Sequence, residues 1–165
     1  MTQTLEVQKG NALKAYKEAD SKGKLLLENL YGKEVFNQKI TNRIKTFDDA
    51  CEVLGIYSED LPKVNMLPAK HREATIANYK LAIISEVLNE GWTPDWNNSS
   101  EYKYYPYFDM RNNTLVYSHS NFNIWHVYSN AGSRLCFRTE ELAEYAGKQF
   151  IEIYKLAFFL NSYEN

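Results

Sequence analysis

Between Trp92 and Tyr128 the chain carries 11 aromatic residues in 37 positions, and this stretch constrains the fold more than any other. Rings at that density need a surface to pack on, and Tyr, Phe and Trp favour the pleated, half-buried surface of a sheet. All three Trp of the chain lie here, together with His119 and His126. Charge is partitioned around the stretch. Residues 1–90 carry 13 basic and 13 acidic side chains, residues 91–138 carry 4 and 3, and residues 139–165 carry 2 and 5. An aromatic, charge-poor middle therefore separates two charge-rich flanks.

Periodicity assigns the flanks to helices and the middle to strands. From Asn11 the apolar residues Leu13, Tyr16, Leu26, Leu27 and Leu30 recur at helical spacing, with a break at Asp20-Ser21 and a stop at Gly32. Thr46-Phe47-Asp48-Asp49 opens a short helix with a capping residue and two acids in its first turn, and Gly55 closes it. The longest helix runs from Ala69 to about Glu90, after Pro68 and before Gly91. The period then becomes two. The spacing predicts strands at 102–108, 115–118, 122–128 and 134–138, joined by turns at Arg111-Asn112-Asn113-Thr114, Ser120-Asn121 and Ser129-Asn130-Ala131-Gly132. Pro106 marks an edge position or a bulge. Thr139-Glu140-Glu141 starts a last helix whose stripe is Leu142, Ala146, Phe150, Ile153, Ala157 and Leu160. The expectation is one α+β domain over residues 1–165. Residues 1–90 would be mainly helical, 91–138 a four-stranded antiparallel meander, and 139–165 a C-terminal helix packed on the sheet.

Composition narrows the function classes. A formal net charge of −2 argues against a binder held mainly by phosphate neutralisation. No apolar run approaches the roughly 20 residues of a membrane span, and Met-Thr-Gln-Thr-Leu-Glu-Val has neither the basic nor the apolar part of a secretion signal. A cytoplasmic protein without a membrane partner is expected. Two cysteines 85 positions apart, Cys51 and Cys136, read as small buried hydrophobes. The chain has no glycine-rich phosphate loop, no dinucleotide fingerprint and no His-Glu-x-x-His. A non-catalytic protein without a cofactor is the expectation. His119, His126 and Asp109 are the weak candidates for a metal, since the two histidines flank a predicted turn.

Alternation along the strands supplies the candidate binding residues. Tyr102, Tyr104 and Phe108 fall on one face of their strand, Lys103, Tyr105 and Tyr107 on the other. In the last strand Leu135 and Phe137 oppose Arg134, Cys136 and Arg138. If Leu135 and Phe137 pack on the C-terminal helix, one sheet face combines Lys103, Tyr105, Tyr107, Arg134 and Arg138, with Trp96 and Trp125 in the same region. Rings beside cations suit single-stranded nucleic acid, whose bases stack while phosphates meet the charges. The same rings suit a protein interface or cross-strand packing alone, and the residues leave all three readings open. Lys33, Lys39, Arg43 and Lys45, near only Glu34, form a second candidate as a small anion-attracting patch.

Gly91-Trp-Thr-Pro-Asp-Trp-Asn-Asn, Tyr102 to Asp109, and Gly132-Ser-Arg-Leu-Cys-Phe through Ala146-Gly-Lys-Gln-Phe150 resemble small uncharacterised proteins encoded by phages and prophages of Bacteroidetes-type gut bacteria. The resemblance covers roughly residues 10–160 and brings no activity, cofactor or site residue. It implies a setting in the cytoplasm of an infected host cell. There the expected role is an accessory protein that binds a host or phage protein or a nucleoprotein complex, for example to inhibit a defence effector. A single-stranded nucleic-acid binder of phage replication and a virion or assembly component are the alternatives, and a second copy of the chain, giving a homo-oligomer, is a further candidate partner.

Overall fold

The computed structural model describes residues 9–123 and 131–159. The chain divides into two compact units, Met1–Glu59 and Asp60–Asn165.

The first unit is helical: α1 (Lys9–Glu18), α2 (Ser21–Tyr31), α3 (Lys33–Asn37), α4 (Ile40–Arg43) and α5 (Phe47–Leu54). Its core is Ala12 and Leu13 of α1 against Ile40, Ile44, Phe47, Ala50 and Cys51. The α5 N-terminus is a complete capping box. The Asp49 N–H donates to Thr46 Oγ1 at 3.1 Å, and the Thr46 N–H donates to Asp49 Oδ2 at 2.8 Å. Gly55 ends the helix in the left-handed region at φ 69°. Asp20 caps α2 through the Gly23 N–H. Of the leucines expected in the apolar stripe of α2, Leu26 and Leu30 are exposed and Leu27 is half-buried.

The second unit holds α6 (Ala69–Leu88), β1 (Lys103–Asp109), β2 (Val116–Asn123), α7 (Glu140–Gln149) and α8 (Ile151–Phe158). Helix α6 buries Ala77, Leu81, Ile84, Val87 and Leu88 and packs along α8. Helix α7 lies on the sheet, burying Leu142, Ala143 and Ala146. At Gly147 the approach is so close that a Cβ would stand 2.6 Å from Tyr117 Cδ2 and 2.7 Å from Pro106 Cβ.

The four-stranded meander is corrected. Among the described residues the sheet has two strands, β1 and β2, antiparallel from Lys103↔Asn123 to Asp109↔Val116, with a bulge between Tyr107 and Phe108. The turn expected at Ser120-Asn121 does not form, because those side chains satisfy groups inside a continuous strand. Ser120 Oγ lies 2.9 Å from Tyr117 Oη, and Asn121 Oδ1 accepts the Phe122 N–H at 2.8 Å. Phe122 and Asn123 therefore end β2, and residues 124–128 of the expected third strand lie outside the described residues.

The expected strand 134–138 shrinks to one antiparallel bridge, Tyr104↔Phe137. Both of its hydrogen bonds form, at 3.0 and 2.7 Å. The next rung on that edge would need an N–H from Pro106, which has none. The segment is pinned to α6 instead. Asn89 Nδ2 and Ser85 Oγ donate to the Cys136 carbonyl at 2.8 and 3.2 Å, and the Arg138 N–H donates to Asn89 Oδ1 at 3.0 Å. The single C-terminal helix is also corrected: it breaks at Phe150 (φ −109°, ψ 26°). Its apolar stripe serves two surfaces, α7 covering the sheet and α8 packing on α6.

Candidate functional site

The expected binding face does not assemble as one surface. Lys103 is 1% exposed. Its ammonium donates to the carbonyls of Asn98 at 2.8 Å and Glu101 at 2.9 Å and pairs with Glu101 Oε1 at 3.2 Å. It also lies 5.7 Å from the Trp96 ring centroid. The same Glu101 carboxylate accepts from the Asp95 N–H at 2.9 Å and from Trp92 Nε1 at 3.3 Å. Lys103 is thus the hub that folds residues 92–101 into a fixed loop, and its cation is consumed there. Trp96 belongs to that loop, half-buried, with Nε1 donating to Ser133 Oγ at 2.6 Å.

The two arginines go elsewhere. Arg138 pairs with Glu90 at 2.9 Å at the end of α6. Arg134 is exposed and lines a small notch with Ser85, Glu86, Asn89 and Trp92. In the first unit Arg43 is buried, so the expected basic patch loses one of its four cations. Trp125 and His126 lie outside the described residues.

Of the metal candidates, the two that lie among the described residues, His119 and Asp109, each have other partners. His119 is exposed, with its ring 5.0 Å from that of Tyr107 and Nδ1 3.1 Å from Ser118 Oγ. Asp109 is held by Arg111, whose hydrogen bonds bring its pKa down to about 2. No group of three or more potential metal ligands occurs among the described residues. The Cys136 thiol is buried, and burial pushes its pKa up to about 11, which favours the thiol over the nucleophilic thiolate.

Two ring arrangements do form. The first is on the face that sequence reasoning set aside. Tyr102, Tyr104 and Phe122 pack against one another with centroids 4.9–5.9 Å apart, and Phe122 stands edge-on to both tyrosines. Tyr102 is 45% and Phe122 43% exposed. Burial first, and then the charges of Glu140 and Glu141 in the first turn of α7, raise the Tyr104 pKa. The cluster is therefore flanked by acids. Alternation placed Tyr102 and Tyr104 together correctly, but Phe108, expected beside them, follows the bulge after Tyr107 and lines the cavity with Tyr105 and Tyr107 instead.

The second arrangement joins Tyr105 and Tyr107 of the expected set. Both line a cavity of about 300 Å³ between β1 and α8, with Phe108, Leu135, Tyr154 and Phe158 among its other walls. Sequence reasoning missed Tyr154 and Phe158 because it read the end of the chain as one helix with one stripe. No helix among the described residues is long and apolar enough to cross a membrane. No protein-family model, curated protein or solved structure matches the chain.

Proposed function

We propose that this protein is a non-catalytic interaction protein that grips a protein partner through the Tyr102–Tyr104–Phe122 cluster. The partner presents a basic side chain beside an apolar one. The observation that carries this reading is the cluster's combination of exposure, mutual packing and acidic flanks. Rings already packed edge-on lose little further freedom when a partner covers them. Their faces and the neighbouring Glu140 attract Lys or Arg. In the phage setting that the resemblance implies, the partner is a host protein such as a defence effector.

The same electrostatics weigh against the nucleic-acid alternative. Phosphates need unneutralised cations, and Lys103, Arg111 and Arg138 each sit within salt-bridge distance of a carboxylate.

The test is capture from infected host cells, comparing the wild type with Tyr102→Ala/Phe122→Ala and with Glu140→Gln/Glu141→Gln. All four positions are exposed, and circular dichroism with a Tm check establishes that each variant is folded. A partner lost with the ring variant and weakened with the charge variant supports the reading. A partner that both variants retain overturns it. An eluate that is nucleic acid and collapses in moderate salt replaces it with the alternative.

A further inference from the structure

We propose that the cavity between β1 and α8 is a second binding site, separate from the ring cluster. It takes a small, flat, apolar molecule bearing one hydrogen-bond acceptor, which the Tyr154 hydroxyl meets. The cavity, about 300 Å³, lies at the low end of the roughly 300–1,000 Å³ of ligand pockets. Its walls near α8 are rings. Phe108 lies 4.8 Å from Tyr154 and 5.7 Å from Phe158, and Tyr154 lies 5.7 Å from Phe158, all between centroids. Such walls select a planar apolar body.

Tyr154 supplies the selective polar group. The residue is 3% exposed. Among the described residues no hydrogen bond to its hydroxyl is found, and the residue lines the cavity. Burial raises its pKa, so the group remains an O–H donor. Buried hydroxyls are nearly always paired, and one left open toward a cavity calls for a partner. A bound water would want two to four polar neighbours, whereas the rings of Phe108 and Phe158 flank this one. A ligand acceptor that carries its own apolar body suits the surroundings better.

The probes are 2-acetylnaphthalene, whose carbonyl is the acceptor, and 2-ethylnaphthalene, which has the same rings and no acceptor. Each is titrated into the full chain and followed by amide chemical shifts. The acetyl compound should bind about tenfold more tightly, the scale of one buried hydrogen bond. Tyr154→Phe should remove that preference, leave the ethyl compound unchanged and keep Tm at or above wild type, since the lost hydroxyl had no partner. Phe158→Ala, at an exposed position, should weaken both compounds without unfolding the chain. The proposal is overturned if neither compound binds, if the preference survives in Tyr154→Phe, or if that variant unfolds.

Discussion

The ammonium of Lys103 lies 3.2 Å from the Glu101 carboxylate, buried at the start of a strand made largely of rings. It also closes two backbone carbonyls, and Glu101 in turn holds the Asp95 amide and the Trp92 indole. Lys103→Met keeps the length and removes the charge. It leaves two carbonyls without their donor and a carboxylate without its countercharge. An orphaned buried ion costs about 3–5 kcal/mol; Glu101 is 25% exposed, so water recovers part of that. A loss of about 2–4 kcal/mol in urea unfolding is expected, together with a change in Trp fluorescence. A loss below about 1 kcal/mol would show that the loop does not depend on this amine.

Gly147 makes the opposite demand, for absence of a side chain. Alanine is the better helix former by about 1 kcal/mol, so Gly147→Ala should stabilise α7 if nothing stood in the way. The sheet stands in the way, with Tyr117 and Pro106 atoms inside 3 Å of the new methyl. Overpacking of this kind costs about 1–3 kcal/mol. The expected net result is a lower Tm; a raised Tm would show that α7 does not press on the sheet at this point.

How far the sequence could be read follows from which residues act locally. The α5 box Thr46–Asp49 and the span of α6 were legible, because caps and helical periodicity are settled within a few neighbours. The sheet was not. Ser120 and Asn121 are turn formers by propensity, and only the positions of Tyr117 and the Phe122 amide let them stay in a strand. The failure of 134–138 to pair further depended on Pro106, some 30 positions earlier, and on Asn89 and Ser85 of another helix. Alternation put Tyr105 and Tyr107 on one side of the strand, where both line the same cavity. It carried no information on the loop that captures Lys103 or on the helix break that brings Tyr154 and Phe158 to the tyrosines.

Asp109 and Arg111 predict an acid dependence. Hydrogen bonds from Arg111 lower the Asp109 pKa from 3.8 to about 2. A depressed folded-state pKa means that the pair contributes above the unfolded value and is lost as pH falls through the folded one. The stability difference between wild type and Asp109→Asn should therefore be constant above about pH 4 and vanish between about pH 4 and 2. The pair is exposed, so the difference should also shrink in high salt. Urea midpoints at stepped pH read it directly, and a gap that persists at pH 2 would mean that Asp109 acts through something other than its charge.

Cys136 predicts an alkaline dependence of the other sign. Its thiol is buried next to the bridged Phe137, and burial raises its pKa from 9.0 to about 11. In the unfolded chain the proton leaves near pH 9, whereas in the folded chain it is still held. The unfolded state thus gains from deprotonation first, and stability falls as pH rises from about 9 to 11. Cys136→Ala should flatten that part of the profile relative to wild type. Burial has a second consequence at neutral pH, where Cys51 is equally inaccessible. A thiol-specific disulfide reagent at pH 7.5 should modify neither cysteine in the folded protein and both once urea opens it. Rapid modification of the folded chain would place one of these thiols at the surface and undo the packing of α5 or of the 136–137 segment against α6.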